Sequence, residues 1–144
     1  MSGRRRWRDG TGVLRVAGRD AAVPVEIAAT YGPRRRGLLG RDGIAGAMLL
    51  LTPCNSVHTF RMRFAIDVAY LDRELRVVEV RTMASGRLGR PRLRARHVLE
   101  AEAGAMAEWG VVAGARVTIE TAGTTGTAGP VGPAGPVGPD PADG

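Results

Sequence analysis

Between residues 13 and 120, hydrophobic residues either alternate with polar ones or form short solid runs. Such spacing is typical of β-strands rather than of helices. It predicts seven strands, at residues 13–16, 23–28, 47–51, 66–71, 75–82, 97–101 and 117–120. Thr30 is placed to cap a helical turn over residues 31–38, and a second turn over residues 103–109 ends before Gly110. We therefore predict a mainly β fold, a compact sandwich or squashed barrel of about seven strands with one or two short helices.

The composition of the 144 residues divides the chain into three parts. For residues 1–12 we predict a basic flexible arm, and for residues 13–120 a single β-rich domain. From residue 121 onward the chain has no arginine, no aromatic residue and no apolar period that could face a core. Glycine recurs at every third position from Gly123 to Gly138, as in collagen, but six such triplets are few for a triple helix. We predict a disordered tail, rich in Gly and Pro, over residues 121–144.

The net charge of +7 comes from arginine, because all 21 basic residues are Arg. A chain without lysine but with 21 glycines is typical of a GC-rich coding bias, so the charge says little about nucleic-acid binding. The single cysteine, Cys54, excludes an intrachain disulfide. No apolar run approaches the ~18 residues that a membrane helix needs, and the basic N-terminus has no apolar segment typical of a signal peptide. We predict a cytoplasmic protein that has no cofactor and no contact with a membrane.

Six sequence blocks, taken in order, resemble the domain-of-unknown-function family 192. They are RRGLLGR at 35–41, GAMLL at 46–50, VHTFRMRFAIDVAYLD at 57–72, VVEV at 77–80, VLEAEAG at 98–104 and GVVAGARVTIE at 110–120. The resemblance covers residues 13 to 120 and implies a compact, mostly β fold without an established activity. Other members are often secreted or membrane-anchored, and this chain, which shows no signal peptide, is similar to the cytoplasmic branch.

Two positions depart from the family pattern. Ala65 stands where a proline is common, and Leu75 stands where a hairpin glycine is usual. Because leucine avoids positive φ, we predict that the turn over residues 73–75 differs from the glycine version, while the strand pair on either side of it is kept. Asp72 is predicted to begin this turn.

Two carboxylates lie inside apolar strand segments, Asp67 and Glu100. A buried carboxylate is costly unless it is paired or hydrogen-bonded, so we expect compensation beside each. Arg41 is the predicted partner of Asp67, and with His58 these residues could frame a small pocket for an anionic or hydrogen-bonding ligand. The alternative is that each carboxylate belongs to a structural ion pair that fixes the strand register.

Four arginines alternate with other residues between positions 90 and 96. In an extended segment their guanidinium groups would project from one face about 6.6 Å apart, forming a comb for nucleic-acid phosphates: Arg90, Arg92, Arg94 and Arg96. Pro91 interrupts a regular strand, and Trp7 and Trp109 lie far away in sequence. A solvated loop or edge strand is the alternative, and it is the one that the composition favours.

Cys54 is the candidate nucleophile of the chain. Cys54, His58 and either Asp67 or Asp72 are the residue types that a thiol hydrolase uses. Cys54, His58 and His97 are residue types that bind zinc. The alternative is an inert, partly buried cysteine, because neither set has a characteristic spacing.

The leading prediction is a non-enzymatic binding module. Its partner would be a small polar or anionic ligand, or a protein, at a pocket formed by Arg41, His58, Asp67 and Glu100. The alternatives are a nucleic-acid-binding protein that uses the arginine segment, and a Cys- or metal-dependent hydrolase.

Overall fold

The structure of the protein is a computed structural model that describes residues 7–38, 40–41 and 43–121. Residues 1–6 of the predicted arm and all of the predicted tail beyond residue 121, with its repeated glycines, lie outside the described residues.

The described chain forms seven strands and two short helices, which confirms the mainly β prediction. The elements are β1 (Gly10–Val16), β2 (Ala22–Ala28), α1 (Tyr31–Arg36), β3 (Met48–Leu51), β4 (Ile66–Leu71), β5 (Val77–Met83), β6 (His97–Glu102), α2 (Ala105–Trp109) and β7 (Val117–Thr121). The period-two pattern located every strand because each one has at least one buried face. No helix within the described residues is long and apolar enough to cross a membrane.

The strands form one sheet in the order β5-β4-β6-β3-β2-β1-β7. All neighbours are antiparallel except β2 and β3, which are parallel because α1 lies between them as a crossover. The first residues of the two edge strands, β5 and β7, are hydrogen-bonded to the segment that precedes the other strand. Val77 N donates to Ala115 O at 2.8 Å, and Val117 N donates to Leu75 O at 3.0 Å. The sheet is therefore curled into a half-barrel, the barrel form of the predicted fold.

The curled sheet buries a different hydrophobic cluster on each face. The interior cluster takes side chains from all seven strands and from α2: Leu14, Val16, Val23, Val25, Ile27, Met48, Leu50, Ala69, Leu71, Val77, Leu99, Ala101, Ala105, Met106, Val111, Val117 and Ile119. The outer cluster lies on β2, β3, β4, β5 and β6, under the loops that connect the strands: Ala28, Leu38, Ile44, Leu49, Leu51, Val57, Met62, Ile66, Val68, Tyr70, Met83, Ala95 and Val98. Because both faces are covered, the central strands β4 and β6 are buried along almost their whole length.

The first residues of the described chain are bound to the domain. Trp7 makes an edge-on ring contact with His97, with 5.6 Å between centroids. The Asp9 carboxylate accepts hydrogen bonds from the backbone N–H of Ala29 at 2.6 Å and of Thr30 at 3.0 Å. Thr30 occupies the N-cap position of α1, as predicted, but its side chain makes no capping bond, because its hydroxyl donates to Asp9 instead.

The turn between β4 and β5 differs from the prediction. Leu75 adopts a φ of 65°, the left-handed conformation that the sequence was expected to avoid. Asp72 begins the turn, as predicted, and its Oδ1 accepts from Glu74 N at 2.8 Å and Arg76 N at 3.0 Å. A left-handed leucine costs about 1–2 kcal/mol. The Asp72 hydrogen bonds and the packing of Leu75 against the interior cluster offset that cost.

Candidate functional site

Asp67 lies in β4 and points into the curled sheet. It is 3% exposed. Its Oδ1 accepts from Thr82 Oγ1 at 2.6 Å, and its Oδ2 accepts from the backbone N–H of Gly104 at 2.9 Å and Met106 at 3.2 Å. The burial and the compensation are as predicted, but the predicted partner, Arg41, is wrong. The carboxylate instead satisfies N–H groups at the beginning of α2, which a short helix leaves without internal partners.

Glu100 and Arg41 lie together on the opposite, outer face. The register pairs Glu100 with Val68 and Asp67 with Ala101, so the two carboxylates point to different sides of the sheet. Arg41 forms a two-pronged ion pair with Glu26, with N–O distances of 3.1 and 2.8 Å. Glu26 was not predicted as a site residue. In the sequence, the only indication that Glu26 faces other groups on the sheet is its position between the apolar Val25 and Ile27.

The Glu100 carboxyl has no hydrogen-bond partner within the described part of the chain, although it is only 5% exposed. Burial raises the pKa of Glu100 to about 7, and the charge of Arg41 partly opposes that rise. By contrast, the hydrogen bonds from Arg41 lower the pKa of Glu26. The same outer face therefore holds an ionised carboxylate that is paired and a second carboxyl that is about half protonated near pH 7.

His58 makes its contacts with neither Asp67 nor Glu100. Its ring is exposed and stacks on Phe60 with 5.1 Å between centroids and 22° between planes. Its backbone forms an isolated antiparallel bridge with Leu88. The structure thus brings Arg41 and Glu100 together, but places His58 and Asp67 elsewhere.

The four arginines between positions 90 and 96 do not form a comb, because this segment is a loop rather than a strand. Arg92 turns back over the sheet. Its guanidinium lies 4.4 Å from the centroid of the Tyr70 ring and makes two hydrogen bonds of 3.0 Å to Glu79. Arg90, Arg94 and Arg96 are exposed. The loop alternative is correct.

The return of Arg92 to the sheet forms one wall of an open cleft of about 940 Å³. Four arginines, Arg81, Arg87, Arg90 and Arg92, line the cleft together with Glu79 and Tyr70, and we call it the arginine cleft. Its floor follows from the register, because Tyr70 pairs with Glu79 and Val68 with Arg81 across β4 and β5. Sequence reasoning did not find this cleft, since its arginines come from both a strand and a loop.

Tyr70 is fully buried, and its hydroxyl has no hydrogen-bond partner within the described residues. Burial raises the pKa of Tyr70, so the phenol stays protonated and remains a donor. An unsatisfied buried donor costs about 1–3 kcal/mol. Its position in the lining of the cleft is where a ligand atom could accept that hydrogen bond.

Cys54 does not lie in a thiol or metal site. Its Sγ donates to Ser56 O at 3.1 Å, and burial raises the pKa of the thiol, which keeps it protonated and weakly nucleophilic. His97 Nδ1 is 2.7 Å from Thr52 Oγ1. Throughout the described ranges, no three His, Cys, Asp or Glu side chains are grouped closely enough to hold a metal ion. The arrangements needed for both hydrolase alternatives are therefore missing from this part of the chain.

Comparison with known sequences identifies a family and relatives. The family model DUF192, described as uncharacterized ACR, matches residues 12–119. A UPF0127 protein of Thermococcus gammatolerans is 35% identical over 85 residues, which is 56% of each chain. A UPF0127 protein of Thermococcus kodakarensis is 33% identical, over 56% of this chain and 54% of its own length. A UPF0127 protein of Pyrococcus horikoshii is 37% identical over 84 residues, 56% of this chain and 73% of its own. The chain thus spans little more than half the length of the two Thermococcus relatives.

Two solved structures share the fold. A Sinorhizobium meliloti protein, provisionally described as a transcription regulator, matches with a TM-score of 0.67 and 18% identity, over 79% of this chain and 97% of that one. A Novosphingobium aromaticivorans protein of unknown function matches with a TM-score of 0.62 and 19% identity, over 74% of this chain and 83% of that one. At these identities the likeness shows the fold alone.

Proposed function

The chain belongs to the DUF192 family, whose description names no activity, and from its geometry we propose that it binds a small anionic ligand in the arginine cleft. The observation that carries this proposal is the buried Tyr70 hydroxyl, a donor without an acceptor in the described chain, in the lining of a cleft with four guanidinium groups. A phosphate or carboxylate oxygen would supply the missing acceptor. Such an oxygen would also match the planar donor fork of arginine.

The charges around the cleft are unequal. Among the described residues of the lining, Glu79 is the one carboxylate, and it is held by Arg92, with a longer contact of 3.5 Å to Arg81. Neither Arg87 nor Arg90 has an ion-pair partner among the described residues, so their guanidinium groups are available to a ligand. Excess positive charge in a concave site concentrates anions there and speeds their association.

The cleft is also partly organised before a ligand arrives. The ion pair to Glu79 and the contact with the Tyr70 ring fix Arg92. A guanidinium that is already held in position loses little side-chain entropy when it binds. We therefore expect Arg92 to orient the ligand and Arg87 and Arg90 to close on it.

The test is isothermal titration of the full chain with inorganic phosphate. We expect Tyr70→Phe to weaken binding by about tenfold to a hundredfold, since a hydrogen bond to a charged group contributes about 1.5–3 kcal/mol. Arg87→Gln should weaken binding by a similar factor. The matched control is Arg15→Gln, which removes one exposed arginine from β1, a strand that contributes no residue to the lining of the cleft.

The folding of each variant is followed by thermal unfolding. Tyr70→Phe removes a buried donor that lacks a partner, so its unfolding midpoint should be equal to or above that of the parent. Phosphate binding that is equally weak in Arg15→Gln and in Arg87→Gln would show a diffuse charge effect and reject the cleft.

A second candidate is a polar-ligand site at Glu100 and Arg41, and the unpartnered Glu100 carboxyl is the observation that favours it. A carboxyl with a pKa of about 7 can donate or accept a hydrogen bond near neutral pH. The check is native mass spectrometry of protein purified gently from its own cells. A retained small molecule that disappears in Glu100→Ala but persists in Tyr70→Phe would favour this site over the arginine cleft.

A further inference from the structure

A two-stranded ribbon joins an aromatic pair to the arginine cleft. Residues 57–60 run antiparallel to residues 86–89, and Thr59 N donates to Arg87 O at 2.7 Å. The buried Thr59 hydroxyl also donates to Ala84 O at 2.6 Å and accepts from Arg87 N at 2.8 Å. These bonds fix the position of the 57–60 segment relative to the wall of the cleft.

The exposed side of this ribbon is apolar and aromatic. His58 and Phe60 are two residues apart, so both point away from the buried Thr59, and their rings are stacked. Leu88 is the cross-strand partner of His58 and belongs to the lining of the cleft. Side chains of cross-strand partners are neighbours on one face. The stacked rings are therefore one side chain away from the arginines.

Exposed apolar surface is concentrated near the cleft. Within the described residues, four large hydrophobic side chains are exposed: Phe60 (45%), Leu88 (71%), Leu93 (91%) and Val112 (49%). Phe60 and Leu88 lie on the ribbon, and Leu93 directly follows Arg92. Single exposed apolar residues are ordinary, but three beside one charged cleft indicate a ligand that has an apolar part as well as an anionic one.

From this arrangement we infer that the ligand is a nucleoside phosphate, with its phosphate among the arginines and its base stacked on Phe60. The inference rests on the proposed anion-binding function and specifies the class of ligand. A purine or pyrimidine offers a flat π-face for the exposed ring, and the phosphate offers acceptors for the guanidinium groups and for Tyr70. Proteins that bind single-stranded nucleic acid combine a basic groove with aromatic stacking in the same way.

The experiment compares three probes by calorimetric titration of the full chain: adenosine 5′-monophosphate, inorganic phosphate and adenosine. We expect the nucleotide to bind at least about fivefold more tightly than inorganic phosphate, because stacking adds to the contacts of the phosphate. Phe60→Ala should reduce nucleotide affinity to the level of phosphate and leave phosphate affinity unchanged. Phe60→Tyr, which keeps a stacking ring, should restore the difference, and Val112→Ala is the control for loss of an exposed apolar side chain elsewhere.

The outcomes separate the two proposals. If inorganic phosphate binds but the nucleotide binds no more tightly, or if Phe60→Ala weakens both equally, the inference is wrong and the anion site stands. If no probe binds, both fail. Tighter binding of a short single-stranded oligonucleotide than of the mononucleotide, with the same loss in Phe60→Ala, would support the inference and place the nucleotide unit within a strand.

Discussion

Among single residues, Glu100 combines deep burial with a carboxyl that receives no hydrogen bond within the described chain. Its pKa of about 7 in the folded protein lies above the ordinary value of 4.5. The folded protein therefore keeps a proton that the unfolded chain releases as the pH rises through 4.5. The sign follows from linkage, because a state that binds more protons is favoured at low pH. The stability gained from this proton is complete below pH 4.5 and is lost as the pH rises through 7.

We expect Glu100→Gln to match the stability of the parent near pH 4, where Glu100 is neutral in the folded protein and mostly neutral in the unfolded chain. At pH 8 the variant should be the more stable, by up to about 3 kcal/mol, because the amide carries no buried charge. Urea unfolding at the two pH values measures the difference. Glu120→Gln, an exposed change in β7, is the control. Parallel pH profiles for Glu100→Gln and the parent would contradict this account of Glu100.

Asp67 should behave as a structural residue rather than as a ligand contact. The amide of Asp67→Asn carries no charge and has one acceptor oxygen, so it cannot accept both from Thr82 Oγ1 and from the N–H groups of Gly104 and Met106. We expect the free energy of unfolding to fall by about 1–3 kcal/mol, with phosphate affinity unchanged. Asp20→Asn, at an exposed position, is the comparison. If Asp67→Asn lowers the phosphate affinity but not the free energy of unfolding, Asp67 contributes to ligand binding rather than to stability.

The burial of individual residues could be predicted from the sequence better than their partners could. An acidic residue between apolar neighbours in a strand indicates a buried carboxylate, and this was correct for Asp67 and Glu100. The sequence predicts the wrong partner for Asp67 because nothing local distinguishes the two faces of the sheet. The register places Glu26, and not Asp67, on the face of Arg41. The position of Arg92 could not be predicted for the same reason. Its side chain turns back over the sheet to bind Glu79, which lies 13 residues away on another element.

At the scale of elements, β1 and β7 approach so closely at Gly12 that no side chain fits. A Cβ at Gly12 would lie 2.5 Å from the backbone oxygen of Glu120, a distance that real Cβ atoms essentially never show. The backbone of β7 cannot rotate away as a flexible side chain could. The apolar pattern placed the beginning of this strand at Val13, three residues late, because a glycine needed for strand contact looks like a glycine in a flexible arm.

Gly12→Ala is expected to separate β1 from β7 locally and to lower the unfolding midpoint by several degrees, since overpacking costs about 1–3 kcal/mol. Gly43→Ala is the matched control, because a Cβ at Gly43 meets nothing within 4 Å. Thermal unfolding followed by circular dichroism compares them. An equal effect of the two substitutions would show that chain stiffness, and not contact between the strands, determines the result.

The elements themselves were predictable because strand length, period and turn residues all indicate the same assignment here. What could not be predicted is conformation that tertiary contacts impose. Leu75 adopts positive φ because the Asp72 hydrogen bonds and the interior cluster hold it there. The arginine cleft could not be predicted either, because tertiary contacts bring β5 together with a loop whose sequence has no regular pattern.

At the scale of the whole molecule, the sequence from residue 122 onward has no arginine, no aromatic residue and no apolar period that could face a core. We propose that the segment from residue 122 onward contributes nothing to stability. Removal of residues 122–144 should leave both the unfolding midpoint and the phosphate affinity unchanged, as measured by calorimetry on the two chains. A lower midpoint for the shortened chain would show that this segment packs on the domain.

Hydrophobic side chains from all seven strands pack inside the half-barrel. In our proposal the ligand binds outside this interior, in the arginine cleft, while the packed interior stabilises the fold. Exchange of the 84–92 loop for one of different chemistry should then change what is recognised while the melting behaviour stays that of the parent. Descendants of one such scaffold could diverge in specificity without having to evolve a new core.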